Sequence, residues 1–371
     1  VWSCDRARSR ERSCVMRWSL GAAAWPTSYA RHAPIRAQHS TSYHAPVLCD
    51  ATIKYLVTDP AGTYADGTLG GGGHSEALLE VLAPRGGRLI SLDRDPDALR
   101  TASARLERFA AGGHAAFVHA NFATLADRLP AALRTLGDNN IAAAESSAPP
   151  LDGLLLDLGV SSYQLDTAER GFSFMRDGPL DMRMDQSSGG GALTAATILN
   201  EWPAKEIANV IWRYGEERAS RRIAQAIVAA RPLGSTADLA AALKAAAPPG
   251  PPKLASKMAA RVFQALRIAV NGELDELDAV LSAAAALVRP GGRLAVLSYH
   301  SLEDRRVKRL LRSGTLDGDA PPTDLYGKSL AVWAPVTRQP ITASDDEVNA
   351  NPRARSARLR VGERTEVPLS G

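Results

Sequence analysis

Leu151-Asp-Gly-Leu-Leu-Leu-Asp-Leu-Gly-Val-Ser-Ser-Tyr-Gln164 is the stretch that decides the fold. It reads as a buried strand that breaks at its carboxyl end into a small-residue turn carrying Asp157, Ser161, Ser162 and Gln164. In an open α/β sheet, ligands sit in the crevice outside the carboxyl ends of the strands. A carboxylate emerging there faces whatever is bound, which makes Asp157 the leading candidate site residue.

Upstream, Gly62-Thr-Tyr-Ala-Asp66 reads as a short strand running into Gly67-Thr-Leu-Gly-Gly-Gly-Gly-His74 and an apolar-periodic helix through Leu82. Strand, glycine turn and helix together let backbone N–H groups approach a ligand closely. Arg88-Leu-Ile-Ser-Leu-Asp93 is a second strand, and Asp93 falls 20 positions after Gly73. An acid at that spacing lies at the end of the neighbouring strand, where it accepts hydrogen bonds from ribose hydroxyls. The pattern indicates a ribose-bearing nucleoside cofactor. A helix over 96–109, a strand over 115–120 and Phe122 follow; Phe122 is either an adenine-stacking ring or a core aromatic.

Downstream, the alternation of strand and helix stops. Helix signals occupy 194–200, 203–214, 216–230 and 236–246, and Pro248-Pro-Gly-Pro-Pro252 closes the region, which reads as an inserted helical domain. The α/β pattern resumes with helices over 255–270 and 273–288 and a strand over 294–300, placing Ser298 and His300 on the same sheet edge as Asp157 if the strands are parallel. His300 is a candidate proton acceptor or a buried structural histidine. The next helix carries Arg305, Arg306, Lys308 and Arg309, read either as a phosphate-binding surface or as a solvated face. The basic tail from Asn351 to Arg360 suits anionic backbone contacts or is disordered.

The net charge of +4 sits in the first 44 residues, where seven arginines against Asp5 and Glu11 give +5 and leave about −1 for the body. From Met16 to Cys49 there is no acidic residue while Arg, Ser and Ala recur, the composition of an organellar transit peptide. As the sequence begins with Val1, Met16 is a candidate start. The expected location is the mitochondrial matrix, then a plastid, then the cytoplasm if the leader is not a targeting signal. No window approaches the roughly 18 consecutive apolar residues of a membrane span, so no membrane partner is expected. Three cysteines, Cys4, Cys14 and Cys49, provide neither a disulfide framework nor a thiolate zinc site, and no metal is expected.

Five motifs then follow in an order that belongs to one family: His74 behind four glycines; Leu156-Asp-Leu-Gly-Val-Ser-Ser162 with Gln164-Leu-Asp166; Phe263-Gln-Ala-Leu-Arg-Ile268; Ser298-Tyr-His-Ser-Leu-Glu-Asp-Arg305; and Asn351-Pro-Arg-Ala-Arg-Ser-Ala-Arg-Leu-Arg360. On these, from His44 to about Glu363, the chain resembles the bacterial-type small-subunit rRNA cytosine-N4 methyltransferases and their mitochondrial relatives. The resemblance implies an α/β, class I S-adenosylmethionine-dependent methyltransferase fold, a Rossmann-like doubly wound sheet with an inserted all-helical domain. The expected division is a leader at 1–43, methyltransferase parts at 44–168 and 261–363, the helical insert at 169–260 for RNA recognition, and a tail at 364–371.

The resemblance further implies S-adenosylmethionine contacts at Gly72, Gly73, His74, Asp93, Phe122, Asp157 and Gln164. The implied reaction is methylation of the exocyclic N4 amine of a decoding-centre cytidine. Asp157 and His300 are the catalytic candidates, with Arg267, Ser298, Arg305, Arg306 and Arg358 facing RNA. The expected partner is small-subunit rRNA within a ribosomal particle, with a homodimer left open. The chain departs from the usual pattern in Tyr163, where bacterial members commonly have Pro, and in Lys257-Met-Ala-Ala-Arg261. The Pro-Pro-aromatic motif of many amino-methyltransferases is replaced by Asp157-Leu-Gly-Val-Ser161. Two other readings remain: a non-catalytic assembly factor retaining the fold, and a nicotinamide-dependent oxidoreductase sharing the glycine turn and Asp93.

Overall fold

The protein is described by a computed structural model covering residues 46–137, 150–187, 191–321, 323–327 and 329–369. The leader expected at 1–43, the candidate start Met16 and most of the low-complexity loop expected before Leu151 lie outside the described residues.

Helix α1 (Cys49–Leu56) leads into β1 (Thr63–Asp66), α2 (Gly73–Leu82) and β2 (Arg88–Asp93). Two short helices follow, α3 (Pro96–Arg105) and α4 (Glu107–Ala111), where one was expected; the helical run breaks at Leu106. Then come β3 (Ala115–His119), α5 (Leu125–Thr135) and β4 (Leu151–Asp157). Every residue of β4 before Asp157 is buried, the mark of a strand covered on both faces. After the single turn of α6 (Ser162–Asp166), helices α7 (Ala195–Glu201), α8 (Ala204–Gly215), α9 (Ser220–Ala229), α10 (Thr236–Ala246) and α11 (Pro252–Asn271) occupy the stretch before the sheet resumes. The chain continues with α12 (Glu273–Leu287), β5 (Val288–Ser298), α13 (Ser301–Ser313), β6 (Trp333–Pro335), α14 (Asp345–Ala350) and β7 (Arg358–Arg364).

The seven strands form one sheet in the order β3-β2-β1-β4-β5-β7-β6. The first five run parallel, and β7 is antiparallel to both β5 and β6. This is the expected α/β, doubly wound class. Side-chain alternation assigns the two faces: Tyr64, Leu89, Leu155 and Leu297 pack with α1 to α4, while Ala65, Ile90, Leu154 and Val296 pack with α5, α12 and α13. The chain order reverses between β1 and β4, which opens the crevice where such sheets bind ligands.

Helices α7 to α11 close around a hydrophobic core of their own that includes Ile198, Ile207, Ile211, Ile223, Leu239, Val262 and Phe263. In α8, Ile207, Val210 and Ile211 lie at the spacing of one helical face, so one side is apolar and the other free for solvent. The border expected at residue 260 falls inside α11, a continuous helix that starts at a proline and stops at Gly272 in the left-handed region.

The basic tail expected over 351–360 is ordered: Pro352–Ser356 form a short 3-10 turn, and Arg358 to Arg360 open β7, a strand inside the sheet. Leu359 and Val361 are buried while Arg358 before them and Arg360 between them are not, the period-2 pattern of a strand.

Candidate functional site

The glycine turn is built for close approach. Gly70 and Gly72 have φ of 50° and 79°, and a Cβ on Gly72 would lie 3.1 Å from Ala102 and 3.3 Å from Leu106. A side chain at either position would be strained, and at Gly72 it would also crowd Ala102 and Leu106, so the backbone stays bare. Asp66, at the end of β1, anchors the turn from below: it is fully buried and accepts hydrogen bonds from Ser75 Oγ at 2.7 Å and Thr68 N at 3.0 Å. Burial raises its pKa.

A recess of about 380 Å³ lies outside the carboxyl ends of the parallel strands, a size suited to a cofactor. It is lined by the turn, Gly73 and His74, by Asp93, Phe122, Asp157 and Gln164, and by Arg267, Tyr299 and Arg353. The structure thus brings together six of the seven residues expected to bind the cofactor. The seventh, Gly72, shapes the turn but is not among the lining residues.

Asp93 accepts from Gly70 N at 2.7 Å through Oδ2 and from Asp95 N at 2.8 Å through Oδ1. Burial pushes its carboxyl up to about 6, against which these backbone donors pull it down. Asp157 is held on both oxygens: Tyr299 Oη donates to Oδ1 at 2.8 Å, and His74 Nδ1 lies 3.3 Å from Oδ2. His74 Nε2 is 3.0 Å from the Val47 carbonyl oxygen. A carbonyl and a carboxylate only accept, so this setting favours a proton on each nitrogen of the His74 ring. Burial alone would lower its pKa, but the hydrogen bond and charge of Asp157 more than offset this and raise it. The Tyr299 hydroxyl is driven well above its usual range by burial and by Asp157.

Gln164 lines the recess, but its polar atoms are engaged in the scaffold. Its Nε2 donates to buried Asp95 at 2.8 Å and its Oε1 accepts from Ser161 N at 3.0 Å. Asp95 also pairs with buried Arg170 at 2.9 Å, which ties the loop after β4 to the start of α3.

The other expected residues stand elsewhere. His300 heads α13 and pairs with Glu303, Nε2 to Oε1 at 3.1 Å, and is not among the residues lining the recess. Burial would raise the Glu303 carboxyl, but the neighbouring His300 and, beyond it, Arg267 hold it below the usual range. Ser298 is 1% exposed and donates to the Arg358 carbonyl, which leaves it no surface to offer. Arg305 pairs with Glu216, Arg306 with Asp278 and Arg358 with Asp304. Arg267 does reach the recess, with its guanidinium forked onto both oxygens of Glu273 at 2.8 Å. Glu273, His300 and Glu303 bring donor atoms within 4.8 Å of one another, but Arg267 already supplies the cation beside this group.

Two residues were missed from sequence. Tyr299 lies in the Ser298 to Arg305 motif, between the candidates Ser298 and His300. Arg353, in the tail motif, lines the recess and pairs with Asp166 at 3.0 Å, while its Nη1 is buried without a partner among the described residues.

The MraW methylase family model matches residues 41–365. The chain is similar to proteins named ribosomal RNA small subunit methyltransferase H from three bacteria. That of Heliobacterium mobile is 46% identical over 329 residues, which span 87% of this chain and 99% of the relative. That of Acidobacterium capsulatum is 46% identical over 86% of this chain and 98% of the relative. That of Symbiobacterium thermophilum is 46% identical over 86% and 95%.

Proposed function

The chain belongs to the MraW methylase family, and from that premise we propose that it is an S-adenosylmethionine-dependent methyltransferase acting on the N4 amine of a cytidine in small-subunit rRNA. The observation that carries this reading is the position of Asp157, a carboxylate at the topological switch point, in one recess with Asp93, Phe122 and the glycine turn.

The residues present fit the cofactor. Asp93 offers a carboxylate for ribose hydroxyls, Phe122 an aromatic face for the adenine, and the turn ahead of α2 its bare backbone. Nη1 of Arg353, without a partner among the described residues, is a donor open to an acceptor on the cofactor. Held there by Asp93, Phe122 and the glycine turn, S-adenosylmethionine would supply the methyl group.

The chain's task is then to position and deprotonate an amine whose lone pair is delocalised into the cytosine ring. Asp157 is held between the Tyr299 hydroxyl and the His74 ring, each carboxyl oxygen keeping lone-pair capacity for an amine proton. An acceptor at the amine helps it pyramidalise and takes up the proton it loses. The Leu158 to Ser161 turn adds backbone carbonyls on the same wall. A cytidine in folded RNA must leave its stack to reach this depth. The near-neutral body favours a partly assembled small-subunit particle over free RNA as substrate, since phosphate neutralisation supplies most non-specific affinity.

Incubating the protein with S-adenosylmethionine labelled in the methyl group and unmodified small-subunit particles tests the reading. Label is expected in the rRNA; label confined to protein, or absent although the cofactor binds, overturns it.

A further inference from the structure

An open recess of about 640 Å³ lies between α8 and the start of α9, lined by Ala208, Asn209, Trp212, Arg218, Arg221 and Arg222 among others. It belongs to the helical layer and shares no lining residue with the cofactor recess. Trp212 is 57% exposed. A large apolar ring left in solvent on the polar side of an amphipathic helix gains nothing for the fold.

Arg218, Arg221 and Arg222 are exposed, and among the described residues their side chains have no ion-pair or hydrogen-bond partner. The two carboxylates next to them in sequence are already engaged: Glu216 with Ser301 and Arg305, Glu217 with Arg261. The recess therefore combines one aromatic face with uncompensated positive charge, in a body whose net charge is near zero. An aromatic platform beside a basic track is the chemistry that holds unpaired nucleotides, bases on the ring and phosphates on the guanidinium groups.

A short series of contacts runs from the recess toward the candidate active site. Trp212 stands one helical turn before Glu216. Glu216 bonds to Ser301, two residues beyond Tyr299, whose hydroxyl holds Asp157.

We propose that this recess is a second RNA contact, in which Trp212 stacks on a base of the substrate strand while Arg218, Arg221 and Arg222 hold its phosphates. The inference rests on the reading of the protein as an RNA methyltransferase. It assigns the α8–α9 face the work of gripping the strand at a distance from the methylated cytidine, which gives the helical layer a defined contact.

The test is fluorescence anisotropy of the full chain with a fluorescein-labelled, cytidine-containing RNA strand, over a salt series. Trp212→Ala is expected to weaken binding about tenfold and Trp212→Phe to restore most of it. Changing Arg218, Arg221 and Arg222 together to Ala is expected to lower the slope of log affinity against log salt by about two. Calorimetric binding of S-adenosylmethionine should be unchanged in all three, which separates lost contact from lost fold. Wild-type affinity and slope in the variants would overturn the inference while leaving the proposed reaction intact. A loss confined to the arginine variant would overturn the stacking role and leave a diffuse electrostatic patch. A wild type that binds no RNA and labels no rRNA would instead overturn the reading on which it rests.

Discussion

The hydroxyl of Tyr299 donates to Oδ1 of Asp157 at 2.8 Å, joining the ends of two adjacent parallel strands through residues 142 positions apart in sequence. With His74 at the other oxygen, this bond fixes the orientation of the one carboxylate that stands at the switch point of the sheet.

Removing the carboxylate should therefore remove the chemistry and spare the cofactor contacts at Asp93 and the turn. Asp157→Ala is expected to lower kcat by at least about 100-fold, in the range for loss of a positioned proton acceptor. Single-turnover kinetics on small-subunit particles measures this; a variant with full turnover would show that the proton leaves by another route.

Tyr299→Phe keeps the ring and deletes the donor. A hydrogen bond to a charged group is worth about 1.5–3 kcal/mol, so kcat is expected to fall roughly 10- to 100-fold while KM for S-adenosylmethionine moves little. A change in KM alone would place Tyr299 on the cofactor rather than on the orientation of Asp157.

Asp93 gives the cofactor site a pH dependence. Its folded pKa is raised from 3.8 to about 6 by burial. The stability this group contributes is thus present below 3.8 and is lost as pH rises through about 6. Ribose hydroxyls bind the ionised form better, so cofactor affinity should fall as pH drops through that window. Calorimetric titrations between pH 5 and 7.5 should show this trend in the wild type, and Asp93→Asn should bind more weakly and without it.

Asp95 and Arg170 are 2% and 4% exposed in their side chains, so losing one member strands the other in a dry interior. Arg170→Met is expected to cost about 3–5 kcal/mol in denaturant unfolding. The double variant with Asp95→Asn should recover part of that loss, and equal destabilisation in both would argue that the arginine acts through packing alone.

Much of the fold and part of the site could be read from the residues because strand ends carry them. The β4 run, the glycine turn and the spacing to Asp93 each report a local geometry, and the recess brings them together. The neighbours at the end of β5 are not told apart by such local signals. Asp157 is in register with Leu297, and alternation places residue 299 on the same face and residues 298 and 300 on the other. Tyr299, not Ser298 or His300, had to meet Asp157, but that requires the register between strands, which one sequence does not display. The arginines of α13 and β7 misled for a similar reason. Their partners Glu216, Asp278 and Asp304 lie on other elements or at remote positions, so a paired charge looks the same in sequence as a free one. The alternation of Leu359 and Val361 in β7, in contrast, was present in the sequence and obscured by the arginines around it.

The most direct measurement is mass spectrometry of nucleosides from unmodified small-subunit particles after incubation with S-adenosylmethionine and either wild type or Asp157→Ala. The account predicts N4-methylcytidine with the wild type and little or none with the variant. Methylation of any other base or atom by the wild type, or equal N4-methylcytidine from both proteins, would contradict it.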